Sequence, residues 1–126
     1  MKLNTLLLVS AFVGAVFGIA FVVVAGPLLS VYGVTTDKVG LLLAQLFGTT
    51  LLGFAVLNWL TRDVSDPDAQ RAVVYANLTG DGIGFVVILI GQLAGIANAV
   101  GWSTVAIYLA FVLAFGYVGI IRPRAA

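Results

Sequence analysis

Residues 72–95 read AVVYANLTGDGIGFVVILIGQLAG. The run is apolar without strand-like alternation and holds one charged residue, Asp81. At 1.5 Å per residue it is long enough to cross the roughly 30 Å hydrocarbon core of a bilayer as a helix. At 100° per residue, Asn77, Asp81, Gly84, Ile88, Gln92 and Gly95 share one face, and Val86, Leu89, Ile90 and Leu93 share the other. The stretch therefore carries a polar, small-residue stripe opposite a face suited to lipid.

Three further stretches have the same character: Thr5 to Leu29, Val39 to Leu60 and Trp102 to Ile121. The expected fold is all-α, an integral membrane four-helix bundle forming a single transmembrane domain over residues 1–126. Composition demands such a solution. The chain is 62% hydrophobic and 9% charged, against about 25% charged residues in soluble domains. Helices satisfy their own backbone groups in lipid, whereas strands would need alternation and closure into a barrel. Lys2 followed by an apolar run resembles a signal peptide, but the run from Leu6 to Leu29 exceeds the roughly 7–15 residues of a signal core. It is read as a retained first span.

The breaks carry helix punctuation. Gly26-Pro27 should weaken or end the first helix, since proline removes a donor and clashes one turn back. Leu28 to Tyr32 would then lie along the interface. Thr35, Thr36 and Asp37 can cap the second helix. Ser65-Asp66-Pro67-Asp68 supplies a cap, a first-turn proline and acids at the positive end of the third helix dipole. That helix should begin before its apolar part, and Gly95 to Gly101 should form a short turn.

With four crossings, Lys2, Arg62, Arg71, Arg122 and Arg124 fall on one side and Lys38 on the other. The positive-inside rule places both termini in the cytoplasm. Trp59, Tyr75 and Tyr117 are expected at the cytoplasmic interface, and Tyr32, Trp102 and Tyr108 at the outer one.

Lipid tails supply no hydrophobic drive between helices, so small residues that permit close approach indicate packing faces. These are Ser10, Gly14 and Gly18 in the first helix, Ala44 and Gly48 in the second, Gly80 and Gly84 in the third, and Ala106, Ala110 and Ala114 in the fourth. The spacings Gly14–Gly18 and Gly80–Gly84 hint at two related helical hairpins.

Asp81 stands out energetically. It lies roughly 14 Å from the apolar start of its helix, close to mid-bilayer, where an aspartate costs about 2.5–3.5 kcal/mol on insertion scales. The expected polar site is Asp81 with Asn77 and Gln92 on its own helix, met by Gln45 and Thr49 from the second. Asn58 falls on a different face and is expected at the interface. Asp81 either binds a proton, a cation or the polar group of a ligand, or is a protonated acid held by Asn77, Thr49 or Gln45. The acids Asp63, Asp66 and Asp68 are read as a solvated cap, because their spacing does not form a Gly-bounded calcium loop.

The chain has no cysteine and no histidine, which excludes disulfides, thiolate chemistry, His-ligated haem and the usual zinc sites. A net charge of +1 leaves no basic field for nucleic acid. No catalytic group, metal or cofactor is assigned, and a lone carboxylate lacks the nucleophile or metal partner of an enzyme site.

The stretch LFGTTLLGFAVLNWL, Leu46 to Leu60, resembles a segment of small prokaryotic four-span proteins of the DUF4345 type, as does Gly95 to Trp102 leading into the last helix. The resemblance covers about half the chain. It implies four helices in the plasma membrane of a prokaryote and brings no catalytic residues. The leading expectation is a structural or interaction role, as an accessory subunit or homo-oligomer surrounded by membrane lipids. The alternatives are a small proton- or cation-coupled carrier or channel using Asp81, and a binder of a lipid, quinone or pigment.

Overall fold

The computed structural model describes residues 2–121. Arg122 and Arg124, two of the expected topology anchors, lie outside them. The elements are α1 (Leu3–Val23), α2 (Ala25–Val31), α3 (Lys38–Thr61), α4 (Pro67–Leu93) and α5 (Gly101–Gly116), the last continuing into a π-helical segment, Tyr117–Ile121. No strand occurs among the described residues. Four helices are long and apolar enough to cross a membrane: α1, α3, α4, and α5 with its π extension. Phe12, Ile19, Leu60, Val87, Ile90 and Leu113 are each more than half exposed, as side chains facing lipid would be.

Local sequence explains the boundaries. The first helix breaks at Val24 (φ −131°, ψ 45°), three residues before Pro27. The reason is the reach of proline: its ring would clash with the carbonyl four residues back, that of Val23, so the chain turns there. Pro27 then sits in the first turn of α2, where a missing donor costs nothing. Asp37 caps α3 by accepting from the Gly40 N–H at 2.9 Å. Asp66 caps α4 by accepting from the Ala69 N–H at 2.9 Å, with Pro67 at the first helical position. α4 ends in a Schellman turn: Gly95 adopts φ +76°, its N–H donates to Gln92 O, and the Ile96 N–H donates to Gly91 O.

The helices pair as two hairpins. α1 packs along α3, and α4 packs along α5, while contacts between the pairs are sparse. Within the first hairpin the backbones cross at Gly18 and Gly48. A Cβ on Gly48 would stand 2.8 Å from Gly18 O, and one on Gly18 would stand 3.0 Å from Gly48 O. Gly14 lies one turn along the same seam, over Leu51 and Ala55. In the second hairpin, a Cβ on Gly84 would stand 2.5 Å from the Tyr108 ring, so glycine there makes room for an aromatic side chain.

The hairpins join at their two ends. At the end carrying the N-terminus and the 62–66 link, here the near end, Leu6 and Leu7 of α1 pack with Val73 and Val74 of α4, Phe115 of α5 and Val118. All six are 5% exposed or less. At the far end, Asn98 ties the second hairpin to the first: its N–H donates to Tyr32 O at 2.8 Å and its Nδ2 to Val31 O at 3.1 Å. Between these joints the hairpins separate.

Candidate functional site

The separation encloses a cavity of about 760 Å³. Helical periodicity places its walls. On α3, Phe47, Thr50, Leu51, Phe54, Ala55 and Asn58 recur every three or four residues and all line it. α4 contributes Asn77, Gly80, Asp81, Gly84, Val87 and Ile88, while α1 adds Gly14, Phe17 and Phe21, and α5 adds Tyr108 and Phe111. The lining is overwhelmingly apolar and aromatic. Phe21 and Phe47 meet edge-to-face with ring centroids 5.2 Å apart, bracing the wall of the first hairpin.

Polar groups mark both ends of the cavity. At the near end, Asn58 and Asn77 exchange reciprocal amide bonds of 2.9 and 2.8 Å. The remaining Asn58 N–H donates to Ser10 Oγ at 3.0 Å, and the remaining Asn77 N–H donates to Val73 O at 3.0 Å. This clasp joins α1, α3 and α4 and leaves no amide donor free. Beneath it lies the apolar floor of Leu7, Val74 and Phe115. At the far end, the Tyr32 and Thr104 hydroxyls share a hydrogen bond of 2.8 Å.

Asp81 sits one helical turn beyond Asn77, near the middle of α4, and faces the cavity. Its Oδ2 is buried and has no hydrogen-bond partner among the described residues. A buried carboxylate oxygen left unpaired is costly and uncommon; the Gln92 Oε1, at the far-end turn, shares this condition.

The other expected site residues are distributed differently. Gln45 and Thr49 do not meet the α4 stripe: Gln45 Nε2 donates to Val22 O at 3.3 Å on α1, and the Thr49 hydroxyl donates to Leu46 O of its own helix at 2.7 Å. α3 is rotated so that Gly48 faces α1, which carries Gln45 and Thr49 away from the cavity. The same rotation turns Asn58 inward, to 1% exposure, so it is a central clasp residue and not an interfacial one. Gln92 lies beyond the cavity, under the far-end turn, donating to Asn98 O at 2.9 Å while its Oε1 packs against Gly101. Gly80 makes no helix contact, since a Cβ there meets nothing within 4 Å. Tyr108 lines the cavity beside Gly84 rather than standing at the outer boundary. Asp63 and Asp68 pair with Arg62 and Arg71 at 3.5 Å, and Asp66 is a helix cap.

The cavity also uses residues that the sequence reading passed over: Phe47, Thr50 and Phe54 of α3, Phe17 and Phe21 of α1, and Phe111 of α5. Projecting α3 from Asn58 instead of from Gln45 would have found the first three.

Fold and site together define a helical protein with membrane-length spans and an apolar interior cavity containing one carboxylate. The chain belongs to a family described as a domain of unknown function, DUF8292, which matches residues 7–121. No curated protein and no solved structure matches it.

Proposed function

We propose that this chain is an integral membrane protein that binds a hydrophobic small molecule between its hairpins, with Asp81 as the polar handle. The observation that carries the reading is the orphaned Asp81 oxygen on the wall of a 760 Å³ apolar cavity. Small-molecule sites have volumes of about 300–1,000 Å³, with mostly apolar walls and a few polar groups that set orientation. The near end carries Lys2, Arg62 and Arg71 against Lys38 at the far end, which favours a cytoplasmic near end; the resemblance to small prokaryotic four-span proteins favours the plasma membrane of a prokaryote.

The competing expectations have less support. Of the small-residue faces that an accessory or oligomeric role would use, Gly14, Gly18, Gly48 and Gly84 are occupied by contacts within the chain, and Gly80, Ala106 and Ala110 stay exposed. An ion conduit needs a continuous polar path, and below the amide clasp the floor is Leu7, Val74 and Phe115, each below 2% exposure.

The test uses Gly80, where a new side chain enters open space. Protein purified in lipid nanodiscs is extracted with organic solvent, and the extract is compared by mass spectrometry with that of Gly80→Leu. A hydrophobic compound enriched over bulk lipid with the natural chain, and reduced at least tenfold in the folded variant, is the expected result. Identical extracts containing bulk lipid alone would refute the proposal.

A further inference from the structure

The occupant's chemistry can be narrowed, an inference that rests on the binding role just proposed. We infer that the cavity takes a lipophilic cation, an amine or onium group carried on an apolar body, with Asp81 as its counter-charge.

The cavity lining contains no lysine or arginine, and the chain has no histidine. The lining therefore supplies no cationic partner for a negative charge on Asp81. The nearest polar side chains on the near side, Asn58 and Asn77, are saturated by each other, Ser10 and the Val73 carbonyl, so no amide donor is left to turn towards it. Apart from a proton, a group able to neutralise the carboxylate has to come with the ligand. Anionic amphiphiles such as phosphatidylglycerol and fatty acids are disfavoured twice over. Their charge repels Asp81 in a low-dielectric site, and their headgroups belong at the membrane boundary, whereas Asp81 lies near the middle of a 27-residue helix.

The walls fit the same class. Phe17, Phe54, Tyr108 and Phe111 surround the cavity, and aromatic rings attract cations most strongly when both are out of water. The way in also fits. Phe47, Ile83 and Val87 line the cavity and are 41%, 63% and 63% exposed, so it opens sideways between α3 and α4. On the opposite flank, Phe17, Ile107 and Phe111 are only part-exposed. A molecule that partitions into lipid can reach Asp81 through that seam without crossing water.

The experiment measures binding of tetraphenylphosphonium and of its anionic counterpart, tetraphenylborate, to immobilised nanodiscs, with empty nanodiscs subtracted. The natural chain and Asp81→Glu should bind the phosphonium saturably, and Asp81→Asn should bind it at least tenfold more weakly with an unchanged elution profile. None of the three chains should bind the borate above background. Equal binding of both probes, or phosphonium binding unchanged in Asp81→Asn, would overturn the cation assignment. The hydrophobic-pocket reading would survive that result if Gly80→Leu still abolished binding of either probe, and would fall with it if Gly80→Leu changed nothing.

Discussion

Asn77 and Asp81 stand one turn apart on the same face of α4, yet their surroundings are opposite. Asn77 is 5% exposed, has both amide N–H groups and its carbonyl engaged, and sits directly above a packed floor. Asp81 faces a cavity with one oxygen unpaired. Both are polar groups deep in an apolar helix, and only the first is explained by folding. In lipid, polar residues hold helices together when their bonds are completed inside the protein. One whose bonds are left incomplete contributes little to assembly and, in the binding role proposed for this chain, is the group a ligand would engage.

This contrast can be broken at three strengths. The larger effect is expected at the floor. Phe115 is fully buried whereas Phe111 borders the cavity, so Phe115→Ala should destabilise by about 3 kcal/mol and Phe111→Ala by under about half of that. Only the cavity and van der Waals part of a large-to-small change applies, because separated helices would still lie in lipid. Unfolding in bicelles, followed by circular dichroism or steric trapping, checks it; equal losses would mean that the Asp81 layer is as tightly packed as the floor. A smaller effect comes from the polar pair itself. Asn58→Leu leaves Asn77 half-satisfied and should cost about 1–2 kcal/mol, with the Asn58→Leu/Asn77→Leu double variant regaining part of the loss. Asp81→Asn should shift stability by less than about 0.5 kcal/mol, as befits a residue whose carboxylate is not bonded to the fold. A loss at Asp81 matching that at Asn58 would make the aspartate a structural residue.

Much of the architecture was readable in the chain because spans in lipid depend on length and composition. The third helix beginning at Pro67, the Asp37 and Asp66 caps and the turn from Gly95 follow from local residues. Pro27 gives the cause of the break, which falls at Val24 rather than at Gly26-Pro27 because proline acts on the carbonyl four residues behind it. The site was only half legible. Asp81 and Asn77 were visible from their own helix, but their partners depend on how α3 is rotated about its axis. Gln45, Thr49 and Asn58 are all polar, so polarity alone did not choose among them. The Gly18–Gly48 crossing chose, by turning Asn58 inward and Gln45 away. Likewise Gly14–Gly18 and Gly80–Gly84 look alike as spacings, yet Gly18 meets a backbone and Gly80 meets open space. Spacing records that a helix can be approached and does not record by what.

The central claim, that the Asp81 layer is a cavity open to lipid, can be tested with one spin label. The natural chain has no cysteine, so Gly80→Cys carries a nitroxide at a unique site beside Asp81. In nanodiscs its spectrum should be mobile, relaxed strongly by dissolved oxygen and weakly by a water-soluble nickel chelate. An immobilised spectrum, or relaxation by the aqueous chelate exceeding that by oxygen, would contradict it.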